Sequence, residues 1–236
     1  MPEQYNAYFT NRKVPTASEQ IAYLPIYVKR LIPVEKTAKI LDIGCGLGNT
    51  LAALLKEGYA DVSGIDISNE AVAYCKSRGL KVARVRAIAD IRVEDGAKRF
   101  DFIIMSHVLE HINKDNIIET LRYIKEKLLT PGGGLYIQVP NAQSNTGCYW
   151  AYEDFTHHTL FTAGSLEFVL KTVGFKDIRF VDPDCTEGIG ILRKTAKKAL
   201  LWLYVTNMDF WNWVTSSSYH RPSPRIYSYE IKAIAQ

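Results

Sequence analysis

The sequence predicts an α/β fold, a Rossmann-like sheet of parallel strands wound with helices on both faces. Three observations predict it. Short apolar runs alternate with stretches of helical spacing across most of the chain. Gly44, Gly46 and Gly48 fall at every second position after the first run, Ile40-Leu41-Asp42-Ile43. The second run, Val62-Ser63-Gly64-Ile65-Asp66, ends in an acid about twenty residues past that turn.

The elements follow in order. Ser18 to Leu31 has helical spacing, with Ile21, Leu24, Val28 and Leu31 on one face. Pro25 interrupts it, predicting a kink or two shorter helices, and Pro33 ends it. Its task is packing, or a flap over a ligand. Strand one covers about 39–43. The glycine turn behind it admits dihedrals closed to other residues and lets a ligand lie against bare backbone. A helix over about 48–57, stopping near Gly58, aims its first amides at that ligand. Spacing alone leaves the turn open: a dinucleotide fold uses Gly-x-Gly-x-x-Gly, and here the third glycine arrives one residue early. A loop with no nucleotide role is the alternative.

Asp66 is placed to accept hydrogen bonds from both ribose hydroxyls. It could instead cap the helix over 69–77, but Ser68 is the better cap and Glu70 suits the first turn. A third strand runs near Lys81 to Ala87, and Asp90 after it could meet an adenine amine. Strand four is Phe102 to Met105, followed by Ser106-His107-Val108-Leu109-Glu110-His111. A helix covers about 115–128. Pro131-Gly132-Gly133-Gly134 breaks it and leads into strand five, Leu135 to Val139. Ligands of such sheets sit beyond the carboxyl ends of the strands, where Gly44 to Gly48, Asp66, Asp90, Ser106 and His107 fall.

Composition bounds the function. With 236 residues and 47% hydrophobic content, one domain with a sizeable core is expected. A net charge of +4, from 29 basic and 25 acidic residues, is too mild to argue for nucleic acid, and no such partner is expected. Cys45, Cys75, Cys148 and Cys185 are scattered, without metal or disulfide spacing, so reduced thiols and a cytoplasmic location are expected. Met1 to Lys13 has no apolar signal core, and no apolar run approaches the roughly 20 residues of a spanning helix.

Leu41-Asp42-Ile43-Gly44-Cys45-Gly46-Leu47-Gly48, Gly64-Ile65-Asp66-Ile67-Ser68, Phe100-Asp101 with Leu109-Glu110-His111, and Pro131-Gly132-Gly133 resemble the class I S-adenosylmethionine-dependent methyltransferases. The resemblance implies a seven-stranded sheet whose last strand, here Tyr227 to Ile234, is antiparallel. It implies S-adenosylmethionine as cofactor, with no resident metal. Asp42, Gly44, Cys45, Gly46 and Gly48 would line its methionine and ribose side, Asp66 and Ile67 its ribose, Asp90 and Ile91 its adenine, and Ser106 and His107 its sulfonium end. The domain plan is 1–37 as a helical lead-in, 38–182 as the cofactor-binding core, 183–224 as a helical and aromatic insertion, and 225–236 as the final strand.

Methyl transfer to a hydroxyl gains from a positioned base, and histidine suits that near neutral pH. Two carboxylates and two histidines crowd Tyr152-Glu153-Asp154-Phe155-Thr156-His157-His158, in a loop over the strand ends. This block is similar to a bacterial methyltransferase subfamily found with polysaccharide and lipid-modification genes, whose Asp-x-Thr-His position is His157. That resemblance makes His157 the base or substrate anchor, Asp154 its orienting group, and His158 and His111 further candidates. A structural loop histidine is the alternative for His157, and a packing or capping role for His111. His107, Glu110 and His111 have i, i+3, i+4 spacing, which His157 could join; some quinone and small-RNA methyltransferases bind a divalent metal there.

The insertion sets Arg193, Lys194, Lys197 and Lys198 before the run 199–205, with Phe210, Trp211 and Trp213 after it. The run is apolar all round, the pattern of a buried helix. Self-association or a roof over the site is the first expectation for 193–213. Peripheral contact with the inner face of a membrane is the second. The expected activity is O-methylation of a sugar or lipid-linked glycan hydroxyl. Methylation of a small aromatic or quinone hydroxyl, with or without a metal, is one alternative; a non-catalytic cofactor-binding protein is another, and the intact glycine turn and Asp66 weigh against it.

Overall fold

The computed structural model describes residues 23–91, 99–217 and 223–236. Tyr5, Tyr8, Phe9 and the first part of the expected helix Ser18 to Leu31 lie outside them. Seven strands form one sheet: β1 (Lys39–Ile43), β2 (Asp61–Asp66), β3 (Val82–Arg84), β4 (Phe100–Ser106), β5 (Leu129–Pro140), β6 (Ile178–Phe180) and β7 (Glu230–Ala235). Their order is β3-β2-β1-β4-β5-β7-β6. β7 runs antiparallel to both its neighbours, and the pairings among β1 to β5 are parallel. Between β1 and β4 the winding reverses, which opens a crevice at the carboxyl edge.

The parallel strands are buried on both faces, so they read as continuous apolar runs. Leu41, Ile43, Ile103, Met105, Leu135 and Ile137 point to one face, where α4 (Ile117–Tyr123) and α6 (Ala163–Val173) cover them. Ile40, Phe102, Ile104 and Tyr136 point to the other, under α1 (Ile26–Lys29), α2 (Asn49–Lys56) and α3 (Asn69–Ser77). A short α5 (Tyr149–Glu153) and a long α7 (Ile191–Val214) lie outside these layers.

Several boundaries differ from the sequence reading. Pro25 is the entry to the short helix α1 and not a kink, which fits the two-helix alternative on this side, while the stretch before Tyr23 lies outside the described residues. β3 is shorter than expected, because the chain turns at Ile88–Asp90 once Val85 has bonded to the Asp66 carbonyl. The Pro131 to Gly134 stretch is a bulge within β5: Leu129 pairs with Phe100, and pairing resumes at Gly134 and Phe102. The last strand begins at Glu230. Buried Asn141 donates to the Ile226 and Ser228 carbonyls at 2.7 and 2.8 Å and holds that segment out of the ladder. The expectation of a buried helix over 199–205 fails. No residue of α7 is buried, because it meets the body along one narrow edge.

Candidate functional site

A cavity of about 460 Å³ opens where β1, β2, β4 and β5 end. Its first half is built on the glycine turn. Gly44 (φ +70°) and Gly46 (φ +50°) put bare backbone on the lining. A methyl group at Gly44 would come within 2.3 Å of Val108, another lining residue. Asp66 stands at the end of β2. Its two oxygens accept from the Gly46 and Ser68 amides at 2.9 and 2.8 Å, which pins the turn to the strand. The carboxylate keeps acceptor capacity for a ligand hydroxyl. Ser68 caps α3 through the Ala71 amide, so capping does not occupy Asp66. Burial pushes the Asp66 carboxyl up, against the pull of its amide partners. Ile67, Val85 and Ile88 give this half apolar walls, and Ser106 also lines it.

Other expected cofactor residues support the cradle from outside the lining. Asp42 is 3% exposed; burial first, and the charge of Asp66 second, push it up to about 8. Cys45 is buried behind the turn, and a side chain at Gly48 (φ +76°) would strike Leu80 and Cys75. Asp90 folds back on its own turn, accepting from the Arg86 and Ala87 amides at 3.1 and 3.0 Å. Asp90 and Ile91 are absent from the lining, and Ile88 stands there instead.

The second half is a cluster of imidazoles and carboxylates. His107 takes a left-handed backbone (φ +54°), a strained state for a side-chain-bearing residue. The turn sets its ring between two acids: Nδ1 lies 3.2 Å from Glu110 Oε1, and Nε2 lies 2.9 Å from Glu230 Oε1. Burial disfavours its charge, but both hydrogen bonds outweigh that and lift its pKa to about 10. The ring stays 45% exposed through the cavity, so solvent softens that field until a ligand covers it. Burial likewise works against Glu230, and His107 overcomes it, holding this carboxyl below its usual range.

Deeper in, the hydrogen bonds fix two tautomers. The Thr156 hydroxyl donates to Asp154 Oδ1 at 2.6 Å, so toward His111 it can only accept. His111 therefore donates through Nδ1 and bears a lone pair on Nε2. His157 donates through Nδ1 to the Trp150 carbonyl at 2.6 Å, which puts its lone pair on Nε2. That Nε2 stands 3.6 Å from Asp154 and 4.0 Å from Glu110. The two rings meet edge-on at 4.6 Å. Burial, with His157 alongside, holds His111 below the usual histidine range despite the nearby carboxylates, which keeps it neutral. His111, Asp154 and His157 all line the cavity.

Asp154, the expected orienting group of His157, stands 3.6 Å from its Nε2, and the Trp150 carbonyl holds the other ring nitrogen. His158 is exposed and off the lining; its amide donates to the Glu110 carbonyl. The expected metal set changes too. Glu110, His111 and His157 bring one ligating atom each within 4.8 Å of one another, while both ring nitrogens of His107 are taken up by Glu110 and Glu230. Buried Glu110 Oε2 has no hydrogen-bond partner among the described residues. Sequence reasoning missed Trp150, Tyr229 and Glu230, which close the far wall. A signal was available: Glu230 and Lys232 break an otherwise apolar strand, and buried charges need partners.

Comparison with known proteins agrees with this geometry. A family model described as a methyltransferase domain matches residues 17–179. A curated relative, a ubiquinone biosynthesis O-methyltransferase from Xylella fastidiosa, is 32% identical over 121 residues, which are 49% of this chain and 46% of that one. The chain thus spans about half the length of the curated relatives it matches. A crystal structure of a SAM-dependent methyltransferase from Archaeoglobus fulgidus aligns with a TM-score of 0.61 at 24% identity, over 88% of this chain and 90% of that one. The DhpI-SAM-HEP complex aligns with a TM-score of 0.58 at 14% identity, over 98% and 94%.

Proposed function

The chain belongs to the class I S-adenosylmethionine-dependent methyltransferases, and on that premise we propose that it methylates a hydroxyl of a sugar or lipid-linked glycan. Gly44, Gly46 and Asp66 would hold the cofactor; the bare turn and the buried carboxylate beside it fit a nucleoside. When bound, the cofactor supplies a methyl group already activated by its sulfonium.

The reading rests on one observation: His157, tied through Nδ1 to the Trp150 carbonyl, carries its Nε2 lone pair in the half of the cavity away from Asp66. An alcohol is too weak an acid to give up its proton unaided, and a positioned base contributes roughly 10²–10⁴ in rate. His157 would take that proton at Nε2, and Asp154 and Glu110 would stabilise the resulting imidazolium. His111 packs against His157, and Thr156 ties it to Asp154, which keeps both rings aligned. Trp150 and Tyr229 would cover the reacting centre and exclude water. Aromatic walls beside carboxylate acceptors also suit a polyol.

The test is His157→Ala, assayed on a panel of nucleotide sugars and glycolipids. Cofactor affinity should hold while turnover falls by about 10²–10⁴; an unmoved rate removes the base.

A second reading is favoured by the cluster of Glu110, His111 and His157 with its orphaned carboxylate oxygen. Those three would hold a divalent cation, and a small aromatic or quinone hydroxyl would be the acceptor, in keeping with the names of the curated relatives. Chelation followed by manganese or zinc decides between them: activity lost and restored supports the second reading, and activity retained supports the first.

A further inference from the structure

The 24-residue helix α7 buries none of its side chains. Toward the body, Leu201, Tyr204, Val205 and Met208 are half-buried. Tyr204 meets the Tyr227 ring edge-on at 5.7 Å, Asp209 pairs with Arg225, and Lys197 donates to the Cys185 carbonyl at 2.7 Å. On the other side Leu192, Ala199, Leu203, Phe210 and Val214 recur at seven- and four-residue steps, one line along a helix of 3.6 residues per turn. All five are exposed, Leu192 at 85%. Trp202 and Trp213 flank the line, the latter at 78%. So continuous an apolar surface marks an interaction site.

Charge identifies the partner. Arg193, Lys194, Lys197 and Lys198 crowd the first turns, where Lys197 and Lys198 also reach back to the Cys185 carbonyl and to Asp184, and the helix's single acid, Asp209, is engaged with Arg225. Cations beside tryptophans and an aliphatic line match an anionic lipid surface, where phosphates meet acyl chains. A second copy laid in parallel would set four cations against four. Among the described residues no helix is long and apolar enough to cross a membrane.

We propose that α7 lies on an anionic bilayer, its apolar line at the acyl boundary and its basic turns among the phosphates. The docked helix would bring the cavity mouth to the membrane. Arg225 and Tyr227 hold the helix, and Tyr229 and Glu230, next along the chain, line the cavity. This purpose rests on the reading of a lipid-linked acceptor.

The experiment is co-sedimentation of the full chain with vesicles of phosphatidylcholine alone or mixed with phosphatidylglycerol. The wild type should pellet with the mixed vesicles alone, and high salt should weaken binding. Arg193→Glu/Lys194→Glu should bind about 30-fold more weakly or worse. Leu192→Gln/Trp213→Gln, at exposed positions, should also lose binding while keeping the wild-type circular dichroism. Wild type left in the supernatant with both vesicles overturns the proposal. So does a solution dimer that Leu192→Gln/Trp213→Gln dissolves without any vesicle binding. Turnover of the acceptor panel, without vesicles, is read in parallel. Methylation of a soluble sugar without vesicle binding removes the membrane surface and keeps the proposed function. Vesicle binding with no hydroxyl acceptor turned over does the reverse.

Discussion

Asp66 does two jobs with one carboxylate. It ties the glycine turn down through the Gly46 amide and offers its remaining lone pairs to the cavity. Asp66→Ala should therefore weaken S-adenosylmethionine binding by about 10- to 100-fold, the scale of lost hydrogen bonds to a charged group. Asp66→Asn, which keeps one acceptor oxygen, should lose less. Calorimetry reads both, and unchanged affinity in the alanine variant removes Asp66 from the ribose site. Residue identities at the site were partly legible in the sequence. Asp66 was, because its distance from the glycine turn is set by one strand–helix–strand unit. His157 was, because its loop follows β5. Their hydrogen-bond partners were not. That a threonine fixes His111 and a main-chain carbonyl fixes His157 depends on contacts between segments far apart in sequence.

Elements were legible wherever one local pattern decided them. The apolar runs of β1, β2 and β4, the Ser68 cap and the alternation of strand and helix all appear in the sequence within a residue or two. The bulge in β5 was not, since Pro131 to Gly134 signal a break without saying whether pairing resumes. α7 was misread because an all-apolar run speaks of burial but not of what does the burying. Glycine positions give the element-scale prediction. Gly48→Ala must hold a left-handed backbone and push a methyl into Leu80 and Cys75. It should cost about 2–4 kcal/mol in a urea melt. Because Gly48 is off the lining, folded protein should keep its cofactor affinity. Gly44→Ala, against Val108 in the cavity, should lose both stability and affinity.

At the scale of the molecule, the buried charges set how stability follows pH. Asp42 is raised to about 8 in the fold, so its contribution is whole below the ordinary aspartate range and is lost as pH climbs to about 8. His107, raised to about 10, contributes fully below the ordinary histidine range and loses that as pH rises through about 10. The melting temperature of the cofactor-free protein should fall from mildly acidic pH through about 8, and Asp42→Asn should flatten that part of the curve. A wild-type curve that rises across this span contradicts the assignment. The fold as a whole was readable because the order of elements determines a wound sheet; the wall that Tyr229 and Glu230 supply was not, because β7 pairs with β5 from a distant part of the sequence. The placement of β7 has a consequence for biosynthesis. As a nascent chain leaves the ribosome, the nucleoside cradle between β1 and α3 can assemble early, while Tyr229 and Glu230 are not yet made. A chain stalled before β7 would lack the wall that Tyr229 and Glu230 supply, and His107 would lack one of its two anionic neighbours, so the second half of the cavity is completed only once β7 has been made.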